Sequence, residues 1–97
     1  MISFFKNLFN RKKMTQEMIK QGAIVIDVRS REEFRAGHAK GAVNIPLQEL
    51  SGKIKSYGKN DALVLCCASG MRSASAVAAL KAQGYTNVHN AGSWMNI

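Results

Sequence analysis

The chain reads as an α/β domain whose mainly parallel central sheet is covered by helices on both faces. Three observations point there. Segments suited to strands alternate with segments suited to helices from residue 15 onward. The strand cores are apolar throughout, as in strands buried on both faces. A length of 97 residues with 46% apolar content suffices for one packed core and not for two.

Residues 1–13 carry four cations and no acid, and half of the net charge of +8 sits in this stretch. Met1, Phe4, Phe5 and Leu8 recur at helical spacing while Lys6, Asn7, Asn10 and Arg11 point elsewhere, which predicts a short basic amphipathic helix. This segment is set apart from the domain of residues 14–97; it either packs on that domain or docks on a membrane surface or a protein partner. Thr15 is expected to cap a second short helix ending at Gly22. Ala23-Ile24-Val25-Ile26 is a continuous, largely β-branched run, the pattern of a buried strand.

Ser30-Arg31-Glu32-Glu33 is a capping box that opens a helix carrying Phe34 inward and stopping at Gly37. Ala42-Val43-Asn44-Ile45 reads as a strand closed by Pro46. Leu47, Leu50, Ile54 and Tyr57 trace one helical face, interrupted by Gly52. Leu63-Val64-Leu65-Cys66 is the most apolar strand. The alanine-rich run of residues 73–83 is a strong helix former that Gly84 ends, and Asn87-Val88-His89 supplies a last short strand.

Composition removes several function classes. Lys6, Lys20, Arg29 and other charges break every apolar stretch well before the roughly 18 residues a membrane-spanning helix needs, so a soluble protein is expected. The chain has two cysteines, Cys66 and Cys67, and a bond between adjacent cysteines would close a strained ring. Reduced thiols are expected. The opening lacks the order of a secretory signal, because Arg11-Lys12-Lys13 follow the apolar residues, and a reducing, cytoplasmic setting follows. Nucleic-acid binding is disfavoured, since beyond residue 13 only Phe34, Tyr57, Tyr85 and Trp94 are aromatic. His38 and His89 lack partners at metal-ligand spacing and read as satisfied turn or surface residues, leaving no metal site.

In parallel sheets ligands bind beyond the carboxyl ends of the strands. The junction to inspect is therefore Cys67-Ala68-Ser69-Gly70-Met71-Arg72, between the most apolar strand and the strongest helix. Small uncharged residues and Gly70 let successive N–H groups turn toward one point. A helix starting near Ser73 adds its positive end, and Arg72 adds a cation. A cysteine held there should have its pKa lowered from about 8.5 toward roughly 3.5–7.5, which makes it a nucleophilic thiolate at neutral pH. Cys66, inside the strand, reads instead as a small buried hydrophobe.

At these residues the chain resembles the single-domain rhodanese-like sulfurtransferases. Ile26-Asp27-Val28-Arg29 with Glu33-Phe34, and Gly37-His38-Ala39-Lys40-Gly41-Ala42 with Asn44-Ile45-Pro46, are similar to the family's N-terminal signatures. Cys67-x-x-Gly70-x-Arg72-Ser73 resembles its active-site loop, and Gly84-Tyr85-Thr86-Asn87-Val88 with Gly92 and Trp94 its ending. The resemblance implies that Cys67 takes a sulfane sulfur from a small donor such as thiosulfate, holds it as a persulfide, and yields it to cyanide or to a protein or small-molecule thiol. Backbone N–H groups of Ala68, Ser69, Gly70, Met71 and Ser73 would stabilise the anion, and Arg72 would orient the donor's sulfonate. Asp27 and Arg29 would support the fold near the site, with Arg29 paired to Glu33. No metal or organic cofactor is needed. The short loop argues against the related phosphatases. It has no basic residue at positions 68 or 71, so a protein persulfide or other low-charge donor stands beside thiosulfate. The alternative is a non-catalytic module of the same fold that docks a partner or membrane surface through residues 1–13.

Overall fold

A computed structural model of the chain describes residues 2–97, with side chains from Phe9 onward. Strands β1 (Ile24–Asp27), β2 (Val43–Asn44), β3 (Leu63–Cys67) and β4 (Val88–Ser93) form one sheet in the order β2-β1-β3-β4. Every neighbouring pair is parallel. This is the predicted architecture, and it puts the most apolar strand between two others, where a backbone paired on both edges needs no water.

Alternation along β3 divides the core. Leu63, Leu65 and Cys67 join Ile26, Val28, Leu50, Ile54 and Leu80 on the face covered by α3 (Leu50–Lys53) and α4 (Met71–Ala82). Val64 and Cys66 join Val25 and Ala91 on the other, against Met18 and Ile19 of α1 (Ile2–Lys20). Each fully buried Leu or Ile contributes roughly 1.5–3 kcal/mol, so the carboxyl end of β3 is held between two packed layers.

The N-terminal region departs from expectation. In place of two short helices, α1 runs unbroken from Ile2 to Lys20, so Thr15 is not an N-cap. Thr15 lies in the helix interior, fully buried; its hydroxyl donates to the Arg11 carbonyl at 2.9 Å and sits 2.8 Å from His89 Nε2 of β4. A satisfied hydroxyl facing a partner on the sheet removes the competition that favours Thr at helix ends. The stripe of Met1, Phe4, Phe5 and Leu8 lies outside the residues whose side chains are described. No helix among the described residues is long and apolar enough to cross a membrane.

The capping box forms with both arms: the Glu33 N–H donates to Ser30 Oγ at 3.2 Å and the Ser30 N–H to Glu33 Oε1 at 3.1 Å, opening α2 (Arg31–Ala36). Phe34 is only half-buried, because α2 buries no residue fully; its ring stacks on His38 with centroids 3.8 Å apart. The predicted helical face of Leu47, Leu50, Ile54 and Tyr57 does reach the core, but on α3 flanked by two 3-10 turns, Leu47–Glu49 and Ile54–Ser56. Strand β4 extends past the predicted three residues to Ser93. Its register shifts so that Leu65 faces Asn90 and Cys66 faces Gly92, leaving Ala91 as an extra bulged residue.

Candidate active site

β3 delivers Cys67 to the end of the sheet, and the chain turns back through Ala68, Ser69 and Gly70 into α4. Gly70 adopts φ +103°, in the left-handed region, and a Cβ built there would lie 3.2 Å from Gly92 Cα. Only glycine fits both constraints. This turn starts α4 at Met71, ahead of the expected Ser73, with the Ala74 N–H donating to the Gly70 carbonyl at 3.0 Å. Met71 and Arg72 thereby belong to the first helical turn.

The Gly70 N–H donates to Cys67 Sγ at 3.0 Å and the Ser73 N–H at 3.4 Å, with Ser73 Oγ also 3.4 Å away. Burial pushes the Cys67 thiol pKa up; the Ser73 hydroxyl and the N–H groups of Ser73, Gly70 and Ser69 push it down and prevail, leaving it below its ordinary value. The residue is 1% exposed, while Ala68, Ser69 and Met71 remain exposed beside it. Its neighbour behaves oppositely. Cys66 is fully buried on the other face of the sheet, and burial, then the charge of Asp27, pushes its thiol up to about 12. Adjacent strand residues point to opposite faces, so the two sulfurs do not share a cavity.

Arg72 is paired. Its Nη1 and Nη2 donate to Glu33 Oε1 and Oε2 at 2.7 and 2.9 Å, which ties α4 to α2 and holds the Glu33 carboxyl down at about 2, chiefly through Arg72 and then through the Ser30 N–H. Arg29 therefore does not pair with Glu33 as expected. Its Nε and Nη2 grip the buried Asp27 carboxylate at 2.8–3.0 Å, Nη2 also donates to the Gly37 carbonyl at 2.7 Å, and the guanidinium lies 4.7 Å from the Trp94 ring centroid. The reason is reach: Asp27 is two residues away on the strand, whereas Glu33 is already engaged by the cap and by Arg72.

One residue of the site escaped the sequence reading. Asn90 Oδ1 accepts from the Ser73 hydroxyl at 2.7 Å and from the Gly92 N–H at 2.9 Å, while Nδ2 donates to the Gly70 carbonyl at 3.2 Å. It thus touches the loop, the first turn of α4 and the bulge of β4. A single Asn after a short apparent strand carries no sequence signal; the contact exists because β4 runs beside β3 beyond the predicted end.

A cysteine at the carboxyl end of a central parallel strand, with N–H groups at the start of the following helix turned toward its sulfur, is an arrangement that stabilises negative charge at that sulfur. The chain belongs to the rhodanese-like family, whose domain model matches residues 11–96. It is 40% identical over 74 residues to the thiosulfate sulfurtransferase PspE of Escherichia coli, covering 74% of this chain and 71% of that protein. It is 38% identical over 66 residues to the putative sulfur carrier protein YrkF of Bacillus subtilis, covering 68% of this chain and 36% of that one. A solved structure of a rhodanese with anions from E. coli superposes with a TM-score of 0.74 at 38% identity, covering 78% of this chain and 92% of that one. Sulfurtransferase is the general activity that these relatives support.

Proposed function

We propose that the protein transfers sulfane sulfur through a persulfide on Cys67. The observation that carries this reading is the convergence of the Gly70 and Ser73 N–H groups on the Cys67 sulfur, 3.0 and 3.4 Å away, at the start of α4. Donors already aimed at an anionic sulfur stabilise it without reorganising. With thiosulfate, the Cys67 thiolate attacks the outer sulfur, a Cys–S–S⁻ bond forms, the donor's S–S bond breaks and sulfite leaves with the electron pair. An acceptor, cyanide or a thiolate, then attacks the outer persulfide sulfur and regenerates the Cys67 thiolate, so that no oxidant or reductant is consumed. On this reading the N–H groups of Ser69, Gly70 and Ser73 hold the inner sulfur, and those of Ala68 and Met71 are assigned to the outer one.

Arg72 keeps N–H groups beyond those given to Glu33, and these can meet a donor's sulfonate. Its charge is already balanced by Glu33, which lowers the advantage of a dianionic donor and favours a protein persulfide as the natural source. Asp27 and Arg29 act at a distance by fixing the end of β1 beside Cys66. Both cysteines are free, which suits a reducing, cytoplasmic setting.

Intact mass after incubation with thiosulfate tests the proposal. The expected result is one added sulfur on the wild type and none on Cys67→Ser. An unmodified wild type with thiosulfate and with a protein persulfide would overturn it and leave the non-catalytic module.

A further inference from the structure

The Ser73 hydroxyl is asked to do two things with one proton. Its oxygen lies 3.4 Å from Cys67 Sγ and 2.7 Å from Asn90 Oδ1. The Asn90 amide cannot turn over, because its oxygen takes the Gly92 N–H at 2.9 Å and its nitrogen faces the Gly70 carbonyl at 3.2 Å. Oδ1 is therefore an acceptor toward Ser73, and the shorter bond claims the hydroxyl proton. While the sulfur is a thiol, the chain runs from Cys67 S–H to Ser73 Oγ and from Ser73 O–H to Asn90. When the sulfur becomes an anion it needs a donor in place of an acceptor.

We propose that Asn90 is a positioning residue that holds the Ser73 hydroxyl away from the sulfur in the resting site and releases it when the sulfur acquires charge. Release leaves no orphan, because Asn90 Oδ1 keeps the Gly92 N–H. Asn90 thus opposes ionisation of the thiol, and the rotation of one hydroxyl separates the resting state from the charged one. Other charged or titratable groups around this sulfur and its network are Arg72 of α4, paired to Glu33 of α2, Cys66 of the same strand, and Arg11 of α1, whose guanidinium lies against Gly92. Asp27 of β1 and Arg29 just beyond it are paired with each other, and His89 of β4 faces Thr15.

The inference rests on Cys67 as the reactive thiol, and its test needs no sulfur transfer, so it stands or falls separately from persulfide loading. Thiol pKa is read from the pH dependence of Cys67 alkylation in four proteins: wild type, Asn90→Ala, Ser73→Ala and the double variant. In Asn90→Ala ionisation no longer has to break the Ser73–Asn90 bond, so the thiol pKa should fall by about one unit, the scale of one neutral hydrogen bond. In the Ser73→Ala background the same change should produce no fall. An upward shift, no shift, or an equal fall in both backgrounds would overturn the proposal, since a merely structural role does not depend on the hydroxyl. If Asn90→Ala does not fold, Asn90→Asp keeps the acceptor and should raise the thiol pKa, with a smaller rise when Ser73 is also replaced by Ala; a fall, or an equal rise, overturns it.

Discussion

Gly70→Ala is the sharpest perturbation of the loop. The backbone at φ +103° costs an L-residue roughly 1–2 kcal/mol, and the new Cβ would sit 3.2 Å from Gly92 Cα, a backbone atom that cannot swing aside like a side chain. Part of that strain will be relieved by tilting the peptide that carries the Gly70 N–H away from Cys67 Sγ, now 3.0 Å distant. A hydrogen bond to a charged group is worth about 1.5–3 kcal/mol, and at about 1.4 kcal/mol per pKa unit its loss raises the thiol pKa by about 1–2 units. Two measurements check this: urea denaturation, expected to show a loss of about 1–3 kcal/mol, and the pH profile of Cys67 alkylation, expected to move upward. A folded Gly70→Ala protein with the wild-type alkylation profile would show that the inward N–H does not hold the thiolate.

Three further outcomes follow from the same geometry. Cys66→Ala should lose about 1–2 kcal/mol of stability through the small void it leaves, yet accept sulfur from thiosulfate as wild type does; loss of loading in the folded variant would move the nucleophile to Cys66. Glu33 has its carboxyl lowered from 4.5 to about 2 by Arg72 and the Ser30 N–H, so its contribution is present above pH 4.5 and is lost as pH falls toward 2. Glu33→Gln should flatten the stability profile across that window, as denaturation midpoints at successive pH values will show. His89 is lowered below 6.5 by burial, so the folded state binds fewer protons than the unfolded one and stability falls as pH drops below about 6.5; ring titration by proton NMR should give a value under 6.5, rising when Thr15 and its helix are detached by truncation.

The parts of this protein legible in the sequence are those governed by local or periodic chemistry. A β-branched apolar run at Ile24, Val25 and Ile26 has few options besides a buried parallel strand, and the Ser30–Glu33 box satisfies its own helix start. The placement of Cys67 at a strand-to-helix turn likewise follows from what lies on either side of it. Phe34 is half-buried where an inward position is expected, because a capping box fixes where a helix starts but not how closely another element approaches its face.

Side-chain partnerships were decided elsewhere. Arg29 and Arg72 each had Glu33 within plausible reach, and only the tertiary arrangement that brings Glu33 to the first turn of α4 gave it to Arg72 and left Arg29 to Asp27. Thr15 looked like a cap because nothing in residues 11–20 announces that His89 lies 2.8 Å from its hydroxyl. Asn90 reached Ser73 by the bulge at Ala91, a feature of how β4 lies along β3. Helix, strand and turn depend on neighbours within about four residues, which any reader of the chain can see. Which charged or hydroxyl group meets which depends on distances between segments far apart in the chain, and those exist only once the sheet has closed around its core.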